Sequence, residues 1–144
     1  MSTREVIVHS ESRLSQTILA RAHHLRADES IDSGGDDTGP SPYELLLSAL
    51  GACTSMTLRL YADRKEWPLE GVTVRLEHRK VTATTAEAGT VSVTDEIEKV
   101  VELVGNLSAE QRATLLHIAA RCPVHRTLTA SVRISTLLGT GAGT

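Results

Sequence analysis

Phenylalanine is missing altogether, and aromatic residues make up only 2% of the 144 residues. Aromatic rings ordinarily supply much of the buried area of a core, so this one must be built from Leu, Val, Ile and Ala. Charge of one sign is also lacking: 15 Lys and Arg stand against 18 Asp and Glu, and the basic residues are scattered. A nucleic-acid surface needs them gathered on one face, so no nucleic-acid partner is expected. Long hydrophobic runs are absent too. The longest, Leu45 to Cys53, is interrupted by Ser48 and Gly51 and falls short of the roughly 20 residues that span a bilayer, so no membrane partner is expected. The opening MSTREVIVHS has no apolar signal core and there are only two cysteines, which points to the reducing cytoplasm, where a permanent structural disulfide would not persist.

What remains is a globular composition, 40% hydrophobic and 23% charged, long enough for one core and too short for two ordinary domains. A single domain over 1–144 is expected, with residues 139–144 a disordered tail. Two strands, Glu5 to Val8 and Thr17 to Ala20, are joined by the polar turn Ser10-Glu11-Ser12-Arg13 as a hairpin. After Arg26-Ala27-Asp28-Glu29 comes a loop, the Gly-, Asp- and Pro-rich stretch Asp32 to Pro40, which leads into a helix. Ser41, Pro42 and Glu44 form a start signal, with Ser as N-cap, Pro at the first helical position and Glu closing a capping box. That helix should run to about Asp63, apolar on most sides and therefore in need of more cover than one small sheet offers.

Beyond Pro68 the period changes to two. Val72, Val74 and Leu76 should face one way, and Thr73, Arg75 and Glu77 the other. A second strand or pair should lie between Val91 and Val104, after an exposed hairpin loop from Thr82 to Thr90. Ser108 and Gln111 repeat the capping-box logic and open a helix that stops near Arg121, because Pro123 disfavours helical geometry at Cys122. Leu128, Ala130, Val132 and Ile134 then alternate with Thr129, Ser131, Arg133 and Ser135 as a last strand. The fold class is α+β.

Sixty-nine positions separate Cys53 from Cys122, so neither Cys-x-x-Cys chemistry nor a local zinc knuckle is available, and any partnership must come from folding. A sulfur on an apolar helix face is by default a small hydrophobe. Burial would raise the thiol pKa of Cys53, which therefore needs a cation; Arg13, Arg21 and Arg26 are the candidates, and the residues alone do not choose between them. Cys122, at a helix C-terminus, meets a dipole that disfavours its thiolate, although Arg121, His125 and Arg126 are close in sequence. His23 and His24 would point to opposite faces of a strand, and His9, His78 and His117 lack ligand spacing, so no metal site is expected. Gly34-Gly35 lacks the Gly-Lys-Ser/Thr ending of a phosphate loop and reads instead as a place where backbone approaches backbone.

Gly34-Gly35, the run Gly39-Pro40-Ser41-Pro42-Tyr43-Glu44-Leu45-Leu46-Leu47-Ser48-Ala49-Leu50-Gly51-Ala52-Cys53-Thr54, and the later Arg121-Cys122-Pro123-Val124-His125-Arg126-Thr127-Leu128 resemble the two signature segments of the OsmC/Ohr family. The resemblance extends in order along nearly the whole chain. It implies an OsmC-like α+β fold, with β-sheets packed on two main helices in an intertwined homodimer whose central helices meet and whose sites lie at the subunit interface.

It further implies a thiol-dependent peroxidase. Cys53 would attack an organic hydroperoxide and become a sulfenic acid, Cys122 would capture it as a disulfide, and an external thiol, dihydrolipoyl or another dithiol, would restore the pair without a cofactor. In the hydroperoxide branch a Glu directly follows the Pro that opens the helix and pairs with an activating Arg. Here Tyr43 holds that place and Glu44 comes next. At about 100° per residue, the nine residues from Glu44 to Cys53 set them on opposite sides of a straight helix, with Tyr43 closer to the Cys53 face. Glu44 therefore carries both a catalytic and a capping reading. Arg13, in the first hairpin turn, matches by position the family Arg that assists peroxide binding. A non-enzymatic member of the same fold, sensing redox state or binding an apolar ligand, is the alternative.

Overall fold

Two antiparallel sheets and three α-helices give the α+β class expected, in a computed structural model that describes residues 3–85 and 89–140. The N-terminal sheet is a meander of β1 (Ile7–Ser10), β2 (Gln16–Ala20) and β3 (His23–Ala27). The hairpin reading is thus one strand short: the chain turns again at Arg21, in left-handed backbone with φ 56, and sets Leu25 opposite Ile18. Leu25 is the single aliphatic residue among His23-His24-Leu25-Arg26, so the strand carries no alternation that sequence could betray.

The glycine-rich loop is organised around one buried carboxylate. Asp28 accepts the backbone N–H groups of Glu29, Asp36 and Thr38 and the Thr38 hydroxyl. Those bonds, the Thr38 hydroxyl foremost, outweigh burial and hold its carboxyl down at about 2. At Gly35 a Cβ would collide with the Glu29 carbonyl, the close backbone approach expected of Gly34-Gly35.

α1 (Pro42–Lys65) begins where expected, with both bonds of the capping box made: Ser41 Oγ accepts Glu44 N–H, and a Glu44 carboxylate oxygen accepts Ser41 N–H. Its buried line is Leu50, Thr54, Leu58 and Ala62, one residue per four, with Gly51 beside it. Met56 and Leu60 lie outside that line, 65% and 60% exposed. By length and composition α1 could cross a bilayer, yet it packs through this line and is tied by Arg59, whose guanidinium donates to the Leu69 and Glu70 carbonyls.

β4 (Leu69–Thr85) and β5 (Thr90–Gly105) form one long hairpin in which Val74 pairs with Val101 and His78 with Ile97. Val72, Val74 and Leu76 turn inward as the alternation predicts. The 91–104 region is a single strand, and β4 runs through Thr85, so the 82–90 loop is shorter than expected; residues 86–88 of it lie outside the described residues. α2 (Ala109–Ala119) has its capping box at Ser108 and Gln111. Leu58, Ala62, Leu69, Leu107, Leu115, Ile118 and Ala119 make the core, flanked by Tyr61, Trp67, Val72, Val101 and Leu103. It is aliphatic, as the missing phenylalanines require.

The end of the chain departs from expectation. Residues 128–135 are not a strand: α3 (Pro123–Thr129) follows Cys122 at once, and residues 131–140 have no regular structure. Pro123 stops α2 but also suits the first position of a new helix, its missing N–H being one that no helix start uses. The alternation beyond it finds no partner strand among the described residues, and Val132 and Ile134 are exposed. Of the expected tail, residues 141–144 lie outside the described residues.

Candidate functional site

Cys53 stands on α1 at the edge of its buried line, half-buried, whereas Cys122 is fully buried as the N-cap of α3; both are free thiols. Folding brings the two together across the gap in sequence, close enough for each sulfur to shift the ionisation of the other. The first turn of α3 supplies two amide donors to the pair. His125 N–H reaches Cys122 Sγ at 3.2 Å, and Val124 N–H serves Cys53. Cys122 therefore sits at the start of one helix as well as past the end of another. The dipole penalty expected from α2 is countered by the amides of α3.

Burial pushes the Cys53 thiol up, and the neighbouring Cys122 adds to that against the Val124 amide. Burial acts on Cys122 too, but the Cys53 thiol, the His125 amide and the Lys99 charge overcome it and draw Cys122 below its ordinary value. Of the two coupled thiols, Cys122 is therefore the one that gives up its proton more readily.

The cation is one that the sequence reading missed. Lys99 projects from the middle of β5 and donates to Thr54 Oγ1 at 3.0 Å, to the Ala119 carbonyl at 2.9 Å and to His125 Nδ1 at 3.0 Å. Burial lowers its pKa, while the two sulfurs raise it. Its signal was the inward row Ile97, Lys99, Val101 and Leu103, the half-buried positions of an alternating strand. A lysine in an otherwise apolar row must meet a partner inside.

The expected activators are placed elsewhere within the chain. Arg13 donates to Asp36 at 2.8 Å and to the Gly34 carbonyl at 3.0 Å, holding the glycine loop, and Arg26 reaches Ser15 at 3.3 Å. Arg21 occupies the β2–β3 turn. Glu44 is engaged by Ser41, whose backbone N–H above all keeps its carboxyl below the usual range. Tyr43 stacks on His78, ring centroids 4.5 Å apart, and His78 meets Asp95 at 2.8 Å, which also holds Lys80. An open cavity of about 500 Å³ is walled by Leu46, Leu50, Ile97 and Leu128; neither cysteine lines it, but Lys99 and His125, which border the thiol pair, do. Among the described residues no cluster of side chains is suited to a metal ion.

A chain with this thiol pair is similar in fold to several solved structures. An OsmC-like protein from Mycoplasma pneumoniae matches with a TM-score of 0.70 at 21% identity, over 88% of this chain and 87% of that one. An organic hydroperoxide resistance protein OsmC from Legionella pneumophila matches at 0.64 and 18%, over 90% of each chain. The organic hydroperoxide resistance protein OhrB of Bacillus subtilis matches at 0.56 and 16%, over 89% and 91%. No curated protein sequence matches. At the level of sequence, residues 34–136, which include both cysteines, match the family described as OsmC-like protein; this chain belongs to that family.

Proposed function

We propose that the protein is a cytoplasmic thiol peroxidase that reduces organic hydroperoxides. The observation that carries this reading is the Cys53–Cys122 pair brought together by the fold, with the His125 amide on the Cys122 sulfur and with Lys99 and His125 running from the pair to an apolar cavity. The Legionella and Bacillus relatives, named for organic hydroperoxide resistance, support the substrate class.

Access and charge fall on different sulfurs. Cys53 is the one a peroxide can reach, while the resting charge favours Cys122. As Cys53 attacks, its proton passes to Cys122, the S–O bond forms, the O–O bond breaks, and the departing alkoxide takes up a proton and leaves as the alcohol. The resulting sulfenic acid then condenses with the Cys122 thiol, giving a disulfide and water. An external dithiol, of dihydrolipoyl type, returns both sulfurs to thiols. Lys99, rather than Arg13, Arg21 or Arg26, takes the role of activating cation. A second copy of the chain is proposed to cover the exposed apolar residues of α1, Met56 and Leu60 among them.

Intact mass after one equivalent of cumene hydroperoxide tests this. Wild type should lose two protons per chain, Cys53→Ser should not react, and Cys122→Ser should stop at one added oxygen. Full turnover by Cys53→Ser would sink the reading. Unreactive thiols together with tight binding of an apolar ligand would favour the non-enzymatic alternative.

A further inference from the structure

The Lys99 ammonium has three protons, and three acceptors surround it: Thr54 Oγ1, the Ala119 carbonyl and His125 Nδ1. Thr54 spends its own proton on the Leu50 carbonyl at 2.8 Å and offers Lys99 a lone pair. His125 must do the same at Nδ1, because an ammonium cannot accept a hydrogen bond. The imidazole proton is thereby fixed on Nε2. The ring is half-buried, lines the cavity together with Lys99, and finds no protein acceptor for Nε2 among the described residues.

Expulsion of an alkoxide is the demanding part of peroxide reduction, since the leaving oxygen is strongly basic and needs a proton as the O–O bond breaks. We propose that His125 is a catalytic proton donor in the peroxidase reaction, delivering its Nε2 proton to the leaving alkoxide while Lys99 holds the ring in the donating tautomer. This assignment rests on the peroxidase reading.

The step balances within the site. Cys53 sulfur takes the terminal oxygen of the hydroperoxide, the alkoxide takes the Nε2 proton and leaves as the alcohol, and Nδ1 recovers a proton from the Lys99 ammonium. Lys99, left neutral, is recharged when the external dithiol has reduced the disulfide and one of the restored thiols ionises. Because Nδ1 accepts from the ammonium, the imidazole is neutral in the resting site and the ammonium behind it is the proton reservoir; burial and the Lys99 charge act the same way, lowering the His125 pKa.

The test compares two oxidants with different leaving groups on His125→Leu, a substitution that keeps the backbone amide serving Cys122. Cumene hydroperoxide expels an alkoxide, whereas a peroxy acid such as peroxybenzoic acid expels a carboxylate that needs no proton. The inference expects the variant to be slowed on the order of 100-fold toward cumene hydroperoxide and to keep its rate toward the peroxy acid. Nitrogen-15 shifts should show wild-type His125 as the Nε2–H tautomer, and Lys99→Met should lose that preference. A variant slowed equally toward both oxidants, or a wild-type ring protonated at Nδ1, overturns the proton-donor assignment alone. Wild-type protein inert to both oxidants overturns the peroxidase reading and this inference with it.

Discussion

Lys99 and His125 meet at 3.0 Å across 26 residues of sequence, and the same ammonium takes the Ala119 carbonyl. One charge from the middle of β5 thus closes the carbonyl end of α2 and braces the amide end of α3, between which Cys122 is held. Replacing it by a neutral chain of similar length, Lys99→Met, removes a cation that favours the Cys122 thiolate. The thiol pair should then ionise at higher pH, read from the pH dependence of iodoacetamide alkylation. An unmoved profile would show that the helix amides alone set the ionisation.

Asp28 provides a pH test of the glycine loop. Its folded pKa of about 2 lies below the ordinary 3.8, so its contribution to stability is fully present above the ordinary value and is lost as the pH falls through about 2. Asp28→Asn, which turns an amide nitrogen toward groups that are all donors, should melt several degrees below wild type at neutral pH. The gap should narrow on acidification from about pH 4 toward 2. A gap independent of pH would mean that the carboxylate charge is not what the loop uses.

Leu115 is fully buried at the centre of the core. With no phenylalanine to flow into a vacated space, Leu115→Ala should cost about 2–5 kcal/mol in urea unfolding, while the folded fraction keeps wild-type thiol reactivity. A loss below about 1 kcal/mol would show that neighbouring aliphatic side chains collapse into the site.

Glu44 separates capping from catalysis in one substitution. Gln also serves at the third helical position of a capping box, so Glu44→Gln should leave both the melting temperature and the rate of Cys53 oxidation close to wild type. A slowed oxidation at unchanged stability would return Glu44 to the chemistry.

Local signals were legible in the sequence and distant ones were not. The capping boxes at Ser41 and Ser108 announced α1 and α2 because each is written within four residues. The alternation of Val72, Val74 and Leu76 announced β4 for the same reason. β3 stayed hidden because its register is imposed by β2 rather than by its own pattern. At Pro123 a residue that ends one helix and begins another gave an ambiguous mark, and the alternation after Leu128 pulled the reading toward a strand with no partner. Both sulfurs could be named because their flanking segments are distinctive. Lys99 could not be found by proximity in sequence, since it reaches Thr54 from 45 residues away; only its inward place in the β5 row marks it.

The positions of the two sulfurs along the chain have a mechanical side. Everything between Cys53 and Cys122, namely the second half of α1, the whole β4–β5 hairpin and α2, would become a closed covalent ring when they bond. A ring of roughly 70 residues withdraws about 4 kcal/mol of chain freedom from the unfolded state. Each catalytic turnover would therefore also be a cycle of tightening and release, with the oxidised protein harder to unfold and slower to exchange its core amides than the reduced one.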